Sequence, residues 1–297
     1  MKTKKLIIIA GPTAVGKTAL AIRLAKSLGC EILSADSRQC YREMNIGVAK
    51  PSPEELAEVH HYFINSHSIH DTVNAGVYEN YGLTVAENCF QQNDHLVVVG
   101  GTGLYINALC DGIDLLPEVA AELRSSIRQQ VEENGFEWLV QTLTEKDPLY
   151  AAEGEMKNPQ RMMRALEIVL QTGKSIRAFQ QNQKKERPFD IIKFGVALPK
   201  PVLQQRIHLR IDLMMQAGLL NEVESLLPYQ ELNALQTVGY REFFEYFKGN
   251  DTLEGAVEKL KTNTRRYAKR QMTWFRKDAA MNWIEPDDLE LIMEKLK

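Results

Sequence analysis

The chain has 297 residues, 44% of them apolar and 25% charged, with a net charge of −3. That length suits one large domain, or a domain with an insertion, and the composition is that of a globular protein with a core. A slightly acidic chain has no global pull toward nucleic acid, so any such surface must be a local patch.

Cys30, Cys40, Cys89 and Cys110 are scattered with no C-x-x-C pair. They read as buried apolar residues, with neither a disulfide framework nor a zinc site. The basic start, Met1-Lys-Thr-Lys-Lys5, runs into only about five apolar residues before a glycine loop, which reads as a strand and not a signal peptide. No stretch approaches the ~20 apolar residues that span a membrane. A cytoplasmic protein without a membrane partner is expected.

Leu6–Ala10 is a nearly all-apolar run, the pattern of a strand buried on both faces. Gly11, Pro12, Thr13, Ala14, Val15, Gly16, Lys17 and Thr18 follow and fit G-x-x-x-x-G-K-[ST]. Leu20, Leu24 and Leu28 then recur at i, i+4, with Gly29 as a C-cap. Strand, glycine loop and helix in that order make a phosphate cradle: the loop wraps an anion with backbone N–H groups and the helix start adds positive potential. Lys17 supplies a point charge, and the Thr18 hydroxyl suits Mg²⁺. The motif implies a diphosphate or triphosphate with metal, not which reaction.

Glu31–Asp36 reads as a second strand ending in a carboxylate, beside the loop if both strand tips open on one crevice. Asp36 also suits a helix N-cap, and the two roles are compatible. Pro53 opens a short acidic helix. His60, His61, His67 and His70 lack metal-ligand spacing and read as hydrogen-bonded histidines. Val77–Gln92 reads as a helix. Leu96–Val99 is a third buried strand, and Gly100, Gly101 and Gly103 after it bring Thr102 toward the same crevice.

From Leu116 to Arg187 the pattern is helical and rich in Glu, Gln and Arg. Asn158-Pro159 caps and starts a helix there, with Gln160, Arg161 and Arg164 in its opening turns. Ile191–Leu198 reads as a strand returning to the parent sheet. The expected architecture is therefore α/β: a parallel sheet flanked by helices, of P-loop NTPase type, over 1–115 and 191–297, with a mainly helical insertion over 116–190. Arg206 and Arg210 lie one turn apart on one helix face. Lys259–Lys277 holds eight basic residues and no acidic one between Glu258 and Asp278, interleaved with Tyr267, Trp274 and Phe275. That segregation favours a nucleic-acid face.

Together these pieces resemble the tRNA dimethylallyltransferase (tRNA isopentenyltransferase) family. Gly11–Thr18 is similar to its phosphate loop and Ala35-Asp-Ser-Arg-Gln-Cys-Tyr41 to its second motif. Ile46-Gly-Val-Ala-Lys-Pro51 resembles its I-G-T-A-K-P, with Val48 where Thr is usual. Cys40 likewise stands where an apolar residue is usual, and neither departure touches a phosphate or base role. Val99–Tyr105, Asn158–Glu167, Val238–Arg241 and Lys269–Arg276 resemble its remaining signatures, so the likeness covers nearly the whole chain in order. The Cys/His finger of many eukaryotic members has no counterpart, which implies the compact bacterial type.

The resemblance implies transfer of a dimethylallyl group from dimethylallyl diphosphate to the N6 amine of the adenine 3′ to the anticodon, in tRNAs reading codons that begin with U. It implies Lys17, Asp36 and Thr102 as catalytic, with Asp36 as general base oriented partly by Thr102. The Gly11–Thr18 loop, with Arg206 and Arg210 as a second clamp, would hold the diphosphate, and Thr18 the Mg²⁺. Such a loop commonly holds ATP; here the prenyl diphosphate is the implied ligand. The grip on the tRNA anticodon stem-loop is implied for Asp36, Ser37, Arg38, Gln39, Thr102, Arg124, Gln160, Arg161, Met162, Met163, Arg164, Arg241, Arg265, Arg266 and Arg270. A monomer is expected. Three rivals remain: a small-molecule kinase, a transferase acting on free AMP or ADP, and an RNA-binding protein whose loop only senses nucleotide.

Overall fold

The computed structural model describes residues 4–114, 116–180 and 183–297. In chain order the elements are β1 (Lys5–Ala10), α1 (Lys17–Leu28), β2 (Ile32–Ser34), α2 (Pro53–Glu58), β3 (His61–Tyr62), α3 (Ala75–Gln92), β4 (His95–Gly100), α4 (Gly103–Asp111), α5 (Ala121–Lys146), α6 (Pro148–Glu153), α7 (Pro159–Thr172), β5 (Asp190–Val196), α8 (Lys200–Gln216), α9 (Leu219–Ser225), α10 (Arg241–Phe247), α11 (Leu253–Phe275), β6 (Met281–Ile284) and α12 (Leu289–Leu296).

The chain divides into two compact units, residues 1–110 with 186–297, and residues 111–185. The boundaries fall a few residues before those expected, because Arg187 belongs to the first unit. Its guanidinium pairs with Glu79 (2.8 Å) and donates to the Ala108 and Cys110 carbonyls at the end of α4. A buried ion pair with its hydrogen bonds made holds both chain crossings to the sheet unit.

In the first unit six parallel strands lie in the order β3-β2-β4-β1-β5-β6. β1 is central, which explains why Leu6 to Ala10 are all fully buried. The two edge strands, β3 and β6, lie outside the strand pattern read from the sequence. Both are short and half-covered, so they lack a continuous apolar run. His61, in β3, is buried and donates from Nδ1 to the Val59 carbonyl (2.8 Å). The register sets Ala10 beside Gly100 and Gly195, and Ser34 beside Val99, so β1, β2, β4 and β5 end level.

In the second unit, α7 starts at the Asn158 cap, whose side chain accepts from Gln160 and Arg161 N–H. Its apolar face, with Met162, Leu166 and Val169, packs with Ile127, Leu139 and Leu143 of α5. The α5 stretch is broken at Gly135, which has non-helical dihedrals. Among the described residues no helix is long and apolar enough to cross a membrane.

Candidate active site

Four strand ends of the first unit open on one crevice, at the carboxyl edge where parallel sheets bind ligands. The loop after β1 turns through positive φ at Gly11, Ala14 and Gly16, and Gly16 is the N-cap of α1. Lys17, the first residue of α1, donates to the Pro12 carbonyl (2.6 Å). Burial, and then the neighbouring Arg210, pull its ammonium down from the usual lysine value to about 7, against the opposing pull of Asp36. From α8, Arg206 donates to the Val15 carbonyl (3.2 Å) and Arg210 to the Thr13 hydroxyl (3.4 Å). The three cations placed here by the sequence therefore surround one loop. They gain from an anion what they lose by mutual repulsion.

Asp36 follows β2, which ends at Ser34 and not at Asp36 as expected. Its Oδ1 accepts from the N–H of Arg38 (2.9 Å) and Gln39 (3.3 Å). This is an Asx turn that fixes the carboxylate, in place of a helix cap. The expected orienting contact from Thr102 is indirect. Thr102 Oγ1 accepts from Ser37 N–H (3.1 Å) and faces Ser37 Oγ at 3.4 Å, so it positions the residue next to Asp36. Tyr267 lines the same space as Asp36, and burial and then Asp36 push its phenol up to about 12.

A cavity of about 260 Å³ joins the two halves. Gly16, Lys17, Thr18 and Arg210 line it, and so do Asp36, Arg38 and Tyr267. Gln271 of α11 ties them together. Its carbonyl accepts from Thr13 N–H and its amide donates to the Gly101 carbonyl, both at 2.9 Å. A Cβ at position 101 would lie 2.1 Å from Gln271 Nε2, so the amide would have to leave the Gly101 carbonyl to make room for it. Sequence reasoning placed Tyr267 and Gln271 on a basic helix without seeing these roles. The signal was their spacing: positions 267 and 271 are i, i+4 and share the inner face.

The residues expected to grip RNA divide. Arg38 donates to the Asn233 carbonyl (2.8 Å). Gln39 is occupied within the fold: its amide donates to the Val48 and Ala49 carbonyls and its carbonyl accepts from Ser34 Oγ. It is part of the cavity wall. Met162 is a correction. It is fully buried in the core of the helical unit and offers nothing to a partner, because it lies on the apolar face of α7. Gln160 and Arg161 are exposed on that helix and Met163 is half-buried. Arg124 and Arg164 share Glu167, at 3.7 and 2.9 Å.

On α11, Arg266 and Arg270 are exposed, Arg270 lies over the Tyr267 ring and Arg265 donates to Thr262. The interleaved aromatics turn mostly inward: Phe275 is buried, Tyr267 lines the cavity, and Trp274 is partly exposed against Gly103. A second, open groove of about 730 Å³ is lined by Arg241, Lys248, Lys259 and Arg270, with Glu242 and Glu245 among them. Thr237, Val238 and Tyr267 line both spaces.

A donor set of one hydroxyl, Thr18, beside an anion cradle fits Mg²⁺. That ion keeps its waters and binds chiefly through phosphate oxygens. No cluster of three or more His, Cys, Asp or Glu suited to a metal occurs among the described residues.

Comparison with known proteins agrees with this geometry. The family model described as IPP transferase matches residues 39–278. The tRNA dimethylallyltransferase of Cytophaga hutchinsonii is 45% identical over 96% of this chain and 94% of its own. Its namesake numbered 1 from Bacteroides thetaiotaomicron is 44% identical over 98% and 95%. Among solved structures, the full-length tRNA isopentenylpyrophosphate transferase of Bacillus halodurans superposes with a TM-score of 0.73, at 34% identity over 99% and 95% of the two chains. A eukaryotic dimethylallyltransferase acting on tRNA gives 0.78 at 27% identity, over 97% of this chain and 75% of that one. The chain belongs to the IPP transferase family, that of the tRNA dimethylallyltransferases.

Proposed function

We propose that the protein transfers a dimethylallyl group from dimethylallyl diphosphate to the N6 amine of the adenine 3′ to the anticodon, in tRNAs reading codons that begin with U. The observation that carries this is one cavity lined both by the phosphate loop and by Asp36. A small-molecule kinase would account for the loop but not for the basic face of α11 or the helical insertion.

In the reaction the allylic C–O bond breaks and negative charge grows on the departing diphosphate. Loop N–H groups, Lys17, Arg206 and Arg210 stabilise that charge. Mg²⁺ held by the Thr18 hydroxyl and the phosphate oxygens would neutralise more of it. The N6 lone pair forms the new C–N bond, and the proton N6 sheds goes to Asp36. Backbone N–H groups hold Asp36 Oδ1, so Oδ2 is the oxygen for that proton. The adenine must leave its stack to reach this depth. Arg241, Arg265, Arg266 and Arg270 supply the phosphate contacts that hold the loop while it does so. The chain would act as a monomer in the cytoplasm.

The test is incubation of labelled dimethylallyl diphosphate with unmodified tRNA and, in parallel, with AMP, followed by nucleoside analysis. A single prenylated adenosine beside the anticodon is expected. Label in free AMP and none in tRNA would move the acceptor to a free nucleotide, and no label in either would end the proposal.

A further inference from the structure

Two segments singled out in the sequence, Ile46–Pro51 and Val238–Arg241, have no part in the chemistry above beyond the RNA contact of Arg241. They meet at Glu222, a residue in no motif. The side chain of Glu222, on α9, accepts from three consecutive backbone N–H groups: Asn45 (3.1 Å) and Ile46 (2.7 Å) to Oε2, and Gly47 (2.9 Å) to Oε1. The Tyr240 hydroxyl donates to the same Oε1 (2.6 Å). Successive N–H groups curled round an anion form a nest, and here the anion is a carboxylate of the protein itself. Tyr240 is fully buried, and burial together with Glu222 raises its phenol far above the tyrosine range, so it remains a donor.

The clasp is tight because it is a junction of backbones. A Cβ at Gly47 would stand 2.6 Å from the Tyr240 ring, and one at Gly239 2.9 Å from the Gly47 carbonyl. On its other side the loop is held by Gln39, through the Val48 and Ala49 carbonyls. Lys50 closes its base on the Tyr41 carbonyl (2.5 Å) and the side chains of Asn45 (3.1 Å) and Asn65 (2.5 Å). What the loop presents inward is Gly47, Val48 and Ala49, which line the same cavity as the apolar Ile211, Met214 and Leu260. At about 260 Å³ the cavity falls just below the usual span of ligand sites, roughly 300–1,000 Å³.

Resting on the donor placement of the preceding section, we propose that Glu222 is a positioning residue for the prenyl donor. Its carboxylate fixes the 45–49 wall against Tyr240 and thereby limits the cavity to a short allylic chain. Glu222→Gln turns one acceptor into a donor facing N–H groups, which must push the loop out of place. Tyr240→Phe removes one hydrogen bond and keeps the ring against Gly47, a milder opening of the same wall.

Steady-state kinetics would be measured with five- and ten-carbon allylic diphosphates and the same tRNA, with circular dichroism confirming the fold. Glu222→Gln is expected to raise KM for the five-carbon donor at least tenfold and leave KM for tRNA within about twofold. It is also expected to raise the ratio of kcat/KM for the ten-carbon over the five-carbon donor about tenfold or more. Tyr240→Phe should move both quantities in the same direction by a few-fold, and it decides the matter if Glu222→Gln does not fold. Unchanged donor KM and selectivity in a folded variant, or equal losses for donor and tRNA, overturn the proposal. A wild-type enzyme that prenylates no tRNA would instead overturn the reaction assigned above, so the two failures are distinct.

Discussion

With the phosphate loop as the proposed donor site, Lys17 makes donor binding a proton-uptake reaction. In the free protein burial and Arg210 hold its pKa at about 7. A bound diphosphate supplies the opposite charge and draws it back toward the usual 10.5. At pH 8 the free protein then carries about 0.1 proton on Lys17, and binding takes up about 0.9. The folded pKa is depressed, so the neutral form prevails above pH 7 and affinity for the donor falls as pH rises. Between pH 7.5 and 9 the loss is about 25-fold, near 1.9 kcal/mol at 1.36 kcal/mol per tenfold. The free protein moves the other way. Its unfolded chain binds the lysine proton more strongly, so the Lys17 contribution to stability rises with pH from about 7 upward. Calorimetric titration with an alkyl diphosphate in buffers of different ionisation enthalpy reads the uptake directly. Lys17→Met subtracts the titration of the ligand itself. An uptake near zero at pH 8, or the same uptake in Lys17→Met, would refute the electrostatic account of the loop.

Asp36→Asn should bind tRNA with near-normal affinity while kcat falls by about 10²–10⁴, the usual worth of a positioned base; normal turnover removes Asp36 from that role. Gln271→Met should strand Thr13 N–H and the Gly101 carbonyl, costing about 1–3 kcal/mol for each group. Thermal unfolding then shifts by about 2–4 °C per kcal/mol, and Gly101→Ala should reproduce the shift through its clash with Gln271 Nε2. Charge reversal at Arg266 and Arg270 should raise KM for tRNA. It should also lower the slope of log affinity against log salt by about 0.7–0.9 for each phosphate no longer neutralised, leaving donor KM unchanged.

Most of the phosphate-loop half of the cavity, the proposed donor half, is legible because it is local. A phosphate loop is backbone geometry written in Gly11–Thr18, between a strand and a helix that show their own periodicity. The pair Arg206 and Arg210 is also a local pattern, and the loop contacts show which face of α8 it occupies. The acceptor half is less so. Asp36 is visible as a carboxylate near a strand tip, but Thr102 reaches it only through Ser37, and Tyr267 only by the packing of α11. Gln39 and Met162 sit in recognisable motifs and yet turn inward, since which way a side chain points is set by what packs against it and not by its neighbours in the chain.

By itself the order of residues determined the α/β class, the anion cradle, the helical insertion and the basic stripe on α11. Each of these depends on periodicity or contiguity over a dozen or so residues. Only the tertiary structure decided which groups share a cavity. Gln271 meets Thr13 across 258 residues of chain and Glu222 meets Gly47 across 175, and the edge strands β3 and β6 exist only because inner strands offer them a ladder. Hydrogen bonds of that reach leave no period in the sequence. They follow from the sheet order, which brings the ends of β1, β2, β4 and β5 to one rim.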